Sequence, residues 1–263
     1  DEYTETIIND VLLDVVPLFN KSVPIFNDYV PRNFAGMNWE LLLKKDNIIS
    51  ELTENVGKIS DTKVPDDYKN IWNKINLPIQ KRKAANHHLT EQQKEKCFEQ
   101  LHKRAYYLTK IAKHYNAKNI LEVGTAEGWQ FYTFAKYVEE CDGHAWSCDL
   151  RDVRNDEFVE KYKNCTTFHP GDSKSLSKVI KEKIDFFYID GAHDKGSVLK
   201  DVLNLRSLQS ENPVWVFDDF DTRFGCYHDL KALCKHVERF KIYHVGNTAS
   251  GNPSHQVIIF GKL

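Results

Sequence analysis

From Asn119 to the end, the chain repeats one pattern: a short apolar run, a turn, then an amphipathic stretch. Short runs rich in apolar, aromatic and β-branched residues at 120–123, 145–148, 166–169, 186–189 and 214–217 are too short for helices and are bounded by turn residues, so they read as strands. The stretches between them carry helical spacing. Strand and helix in alternation require a mainly parallel sheet with helices on both faces, because each parallel pair needs a crossover. Two further strands, at 242–245 and 256–260, are joined only by residues 246–255, rich in Gly, Asn and Ser. That connection is too short for a crossover and reads as a hairpin. The expected fold is therefore a doubly wound α/β domain, with a mostly parallel seven-stranded sheet ending in an antiparallel hairpin.

Residues 1–89 differ in character. Helical stretches at 5–16, 39–56 and 66–76 are punctuated by prolines at 17, 24, 31, 65 and 78, and Lys81-Arg82-Lys83 forms an exposed connector. Thr90-Glu91-Gln92-Gln93 then fits a capping box, opening a helix whose apolar positions Phe98, Leu101, Ala105, Leu108, Ile111 and Ala112 share one face. The organisation reads as a helical N-terminal appendage, 1–89, that caps the acceptor site, and a catalytic domain, 90–263. The aromatics Tyr29, Trp39, Tyr68 and Trp72 belong either to the appendage's core or to a lid.

Composition narrows the function. The chain has 263 residues and a net charge of −2, without the strong basic excess of a nucleic-acid-binding domain. No apolar run approaches the roughly 20 residues of a membrane span, and the acidic start lacks a secretory signal. The six cysteines include no CxxC pair and read as reduced, cytoplasmic thiols. The chain starts at Asp1 rather than Met, which suggests a module of a larger polypeptide.

The first strand runs into Glu122-Val-Gly124-Thr125-Ala-Glu127-Gly128. Glycines at this turn let the backbone bend tightly and approach a ligand at the carboxyl edge of the sheet. A dinucleotide site wants GxGxxG and a helix N-terminus facing a pyrophosphate. Here position 126 is Ala, and Glu122 and Glu127 bracket the loop. Those charges oppose a pyrophosphate and suit a ligand with an amine and a sulfonium, as in S-adenosylmethionine. Asp149, ending the second strand, suits ribose hydroxyls, and Asp172, after the third, suits an adenine amino group. The plain alternative is a set of ordinary turn glycines and caps.

The fourth strand ends in Asp190-Gly-Ala-His193 and the fifth in Asp218-Asp219. Neighbouring strand ends lie about 5 Å apart, so the three aspartates converge. Carboxylates so close repel unless a cation sits among them, and all-oxygen ligation suits Mg²⁺ or Mn²⁺. His193 reaches the same pocket. The alternatives are a solvated turn for Asp218-Asp219 and a loop histidine for His193.

These motifs resemble the class I S-adenosylmethionine-dependent methyltransferases over about residues 119–263. Asp-Gly-x-His followed by Asp-Asp resembles the metal-dependent O-methyltransferases that act on sugar hydroxyls. The resemblance implies cofactor contacts from Glu122, Gly124, Thr125, Gly128, Asp149, Asp172 and Asp190. It implies metal ligation by Asp190, Asp218 and Asp219, and His193 as general base. Some sugar methyltransferases carry a catalytic Asp two residues after the first ligand; here Ala192 stands there, which leaves His193. The implied activity is metal-assisted O-methylation of a glycan or other small diol. The alternatives are a nucleic-acid 2′-O-methyltransferase, a nicotinamide-dependent oxidoreductase, an iron-dependent hydroxylase-like relative and a methyltransferase-like module without turnover. The Asp-Asp end of the fifth strand argues against the first, and the loop charges against the second.

Overall fold

A computed structural model of the chain describes residues 61–84, 90–221, 223–237, 239–247 and 253–263. The helices expected at 5–16 and 39–56, and with them Tyr29 and Trp39, lie outside the described residues.

Two helices precede the sheet: α1 (Asp66–Ala84) and α2 (Glu91–His114). The latter begins directly after Thr90, where the capping box places its start. Then follow β1 (Asn119–Val123), α3 (Trp129–Glu140), β2 (His144–Asp149), α4 (Asp156–Lys161), β3 (Thr166–Pro170) and α5 (Ser173–Val179). The chain continues through β4 (Ile184–Ile189), α6 (Ser197–Leu205), β5 (Gln209–Phe217), α7 (Cys226–His236), β6 (Phe240–Asn247) and β7 (Pro253–Phe260). The seven strands lie in the order β3-β2-β1-β4-β5-β7-β6. β1 to β5 are parallel, and β7 runs antiparallel between β5 and β6. The order reverses at β1, whose neighbours are β2 and β4, which opens a crevice at the carboxyl edge.

The central strands are buried on both faces, and the pleat sorts their side chains by parity. Leu121, Val123, Phe187, Ile189, Trp215 and Phe217 enter the core beneath α5, α6 and α7. Ile120, Phe186, Tyr188, Val214 and Val216 enter the core beneath α1, α2 and α3. Phe187 and Trp215, paired across β4 and β5, stack with centroids 3.7 Å apart. On α2, the apolar stripe buries Ala105, Leu108, Ile111 and Ala112.

Helix α1 falls within the stretch read from sequence as an appendage. Its Ile71 and Ile75 belong to the same core cluster as Ile120 and Phe134, and Trp72, 2% exposed, meets Trp129 of α3 edge-on at 5.0 Å. Tyr68 and Trp72 are therefore packing residues.

Candidate functional site

The carboxyl ends of β1, β2 and β4 and the turn after β3 surround a cleft of about 640 Å³. The turn after β1 sets its floor. Gly124 has φ +94°, and a Cβ there would stand 2.0 Å from the Asp190 carbonyl oxygen. Only glycine lets β1 and the β4 loop approach so closely. Gly128, at φ +87°, opens α3 over the Tyr132 ring.

Asp149 lines the cleft at the end of β2. Its Oδ2 accepts from the Ala126 amide (2.8 Å) and its Oδ1 from the Arg151 amide (3.2 Å), which fix the carboxylate at the rim. The next residue, Leu150, also lines the cleft and is 80% exposed. Ligand clefts are commonly lined by apolar side chains of this kind. Nothing in the sequence singles it out, because a leucine after a strand carries no chemical signal.

Glu122 takes a different place from the one expected from the loop's charges. Its parity is that of Ile120, so it points beneath the sheet, not into the cleft, and is 1% exposed. There it accepts from Ser147 Oγ (2.8 Å), which also bonds Thr125 Oγ1. Burial pushes its carboxyl well above the ordinary range. Glu122 and Thr125 thus brace the turn from below. Asp172 does line the cleft, but its Oδ1 caps α5, accepting from Ser175 N (2.8 Å) and Ser175 Oγ (2.7 Å).

The acidic cluster separates into two parts. Asp218 and Asp219 are consecutive and turn opposite ways, Asp218 with the parity of Val216, and Asp219 has the left-handed φ of +57°. A non-glycine residue in that region is strained, and such strain gathers at functional sites. Asp218 is buried against the α2 side. It pairs with Arg104 of α2 and accepts from Tyr188 Oη (3.1 Å) and Gln256 Nε2 (3.3 Å). Asp219 instead meets His193 Nδ1 at 2.5 Å. Of the three aspartates expected from strand adjacency to hold a metal, two are brought together with His193. One potential ligand atom each from Asp190, His193 and Asp219 lie within 4.8 Å of one another, while Asp218 is engaged by a guanidinium. No sequence signal points to Arg104, since nothing local ties a helix arginine to a strand end 114 residues on.

Charge follows geometry. Burial, then Asp218 and Asp219, push the Asp190 carboxyl well above the ordinary range. The hydrogen bond with Asp219 raises the half-buried His193 from 6.5 to about 9. Asp190 and His193 line the same cleft as Asp149.

Known proteins share this architecture. Residues 121–220, from β1 through the Asp-Asp turn, match the family model of a methyltransferase domain. The fold resembles an O-methyltransferase from Bacillus cereus solved with S-adenosylhomocysteine (TM-score 0.52, 14% identity, 83% of this chain and 97% of that one). It also resembles a Klebsiella pneumoniae protein described as an O-methyltransferase (TM-score 0.50, 12% identity, 84% of this chain and 99% of that one). No curated protein matches the chain in sequence. The chain thus shares its fold with these O-methyltransferases, and its residues 121–220 match a methyltransferase domain. Among the described residues no helix is long and apolar enough to cross a membrane.

Proposed function

We propose that the protein is an S-adenosylmethionine-dependent O-methyltransferase that acts on a hydroxyl of a glycan or other small diol, assisted by a divalent cation. One observation carries the reading: a single cleft is lined by the Gly124 turn, Asp149, Asp190 and His193 together. Asp149 and the Gly124 turn suit the ribose and methionine parts of the cofactor, with Asp149 accepting from ribose hydroxyls. His193, on the loop after β4, suits an acceptor that must lose a proton.

The donor set fits a cation. Asp190 and Asp219 offer two carboxylates beside an imidazole, and burial together with the neighbouring Asp218 and Asp219 disfavours the ionised Asp190, a cost that a cation would relieve. Mg²⁺ or Mn²⁺ held there by Asp190 and Asp219 would lower the pKa of the acceptor hydroxyl and fix its angle. The chain's own residues do the rest. Asp219 holds His193 through Nδ1, which leaves Nε2 for the acceptor proton. As Nε2 takes that proton, the acceptor oxygen attacks the methyl carbon and the carbon–sulfur bond breaks. The sulfonium becomes a neutral thioether, and S-adenosylhomocysteine leaves. Residues 1–89 help shape the acceptor side.

A second reading has its own observation. The His193–Asp219 contact is the geometry of a base and its orienting acid, and Arg104 already neutralises Asp218. Transfer by this pair alone needs no metal. Turnover of a sugar or catechol panel in EDTA, with and without added Mg²⁺ or Mn²⁺, separates the two. Loss and restoration support the metal-assisted reading, and full activity in EDTA supports the pair.

A further inference from the structure

The cleft contains a carboxylate that the proposed chemistry leaves unused. Asp201 stands in the second turn of α6 and lines the cleft beside Ser173 and Ala192. Its Oδ1 accepts from Ser173 Oγ (2.6 Å), and Ser173 Oγ accepts from Asn204 Nδ2 (2.9 Å). The relay fixes both the carboxylate and the direction of the Ser173 hydroxyl proton. Oδ2 lies under the β4 loop, 3.7 Å from where a Cβ on Gly191 would stand. Among the described residues Asp201 forms no ion pair, and burial raises its carboxyl from 3.8 to about 6. A buried acceptor of this kind gains most from a ligand that donates a hydrogen bond.

Its surroundings indicate which ligand. Gly171, Gly191 and Ala192 are small, Leu150 is apolar and exposed, and all four line the cleft with Asp201. Small residues and an apolar wall suit a flat ring. Asp172, the residue that sequence assigned to the adenine amino group, caps α5 and lies in solvent. We propose that Asp201, held by Ser173 and Asn204, reads the cofactor's base by accepting a hydrogen bond from the exocyclic amino group of adenine. This rests on the reading of the cleft as an S-adenosylmethionine site. A 6-oxo base, which presents an acceptor where adenine presents a donor, would face Asp201 with like polarity.

The test is calorimetric titration of the full chain with S-adenosylhomocysteine and with its 6-oxo analogue, S-inosylhomocysteine. Wild type should bind the adenine form at least about 10-fold more tightly, the worth of a hydrogen bond to a charged group. In Asp201→Asn, the Ser173 proton keeps the amide oxygen and turns the amide NH₂ to the ligand. The preference should shrink to within a few-fold or invert. Asp201→Ala should bind both forms with similar affinity. The readout is a ratio of two affinities in one protein, so a modest stability change does not mimic it, and melting curves without ligand verify folding. Unchanged discrimination in both variants, with wild type still binding S-adenosylhomocysteine, overturns the role of Asp201 alone. A wild type that binds neither ligand overturns the cofactor reading and this proposal with it.

Discussion

At the scale of single residues, the proposed chemistry makes the protonation of His193 decide when the site can work. Asp219 stabilises the imidazolium, so without a cation the ring stays charged up to about pH 9. A base acts only when neutral, so the metal-free rate should rise with pH through that value, and an added cation should move the rise to lower pH. The rate profile in EDTA against Mg²⁺ checks this. His193→Ala should slow the chemical step by about 10²–10⁴ and leave S-adenosylhomocysteine binding intact, measured by single turnover and calorimetry. Asp201 gives a stability prediction. Its folded carboxyl, raised from 3.8 to about 6, favours the folded state below pH 4 and loses that contribution as pH rises to 6. At pH 7, Asp201→Asn should therefore gain up to about 3 kcal/mol over wild type, since a rise from 3.8 to about 6 is worth about 1.4 kcal/mol for each tenfold change in proton affinity. At pH 4 the difference should vanish in denaturant titrations. Asp190 and His193 were legible in sequence because three residues after a strand end is local geometry. The engagement of Asp218 away from Asp219 was not, because its partner Arg104 lies 114 residues away in sequence.

At the scale of elements, the helix before the sheet completes the cluster. Arg104 and Asp218 have side-chain exposures of 7% and 5%, so each depends on the other for its charge. Arg104→Leu strands a buried carboxylate and should cost about 3–5 kcal/mol in denaturant unfolding. Adding Asp218→Leu should recover most of that loss, since replacing both partners removes the uncompensated charge. The turn after β1 is equally constrained. Gly124→Ala would force φ +94° on a side-chain residue and drive its Cβ into the Asp190 carbonyl, so it should lower the melting temperature and weaken cofactor binding. The mostly parallel sheet and the final hairpin followed from run lengths and the short final loop; the order of the strands in the sheet did not. The position of Glu122 followed from parity, which the alternation with Leu121 and Val123 already contained, although the two carboxylates bracketing the loop pointed the other way.

At the scale of the whole molecule, α1 belongs to the packing of the sheet. A chain beginning at Thr90 would uncover Ile71, Trp72 and Ile75 and the surfaces they bury on α2 and α3. Each large buried side chain is worth roughly 1.5–3 kcal/mol, so that truncation should melt well below a chain beginning at Asp61. The sequence marked Thr90 as a boundary because a capping box is a strong local signal, whereas the docking of α1 depends on surfaces far along the chain. The central claim is that the cleft takes S-adenosylmethionine, and calorimetry of the full chain with S-adenosylhomocysteine and, separately, NAD tests it most directly. The account predicts saturable binding of S-adenosylhomocysteine, weakened about 10- to 100-fold in Asp149→Ala, and no heat from NAD. Binding of NAD without S-adenosylhomocysteine, or wild-type affinity in Asp149→Ala, would contradict it.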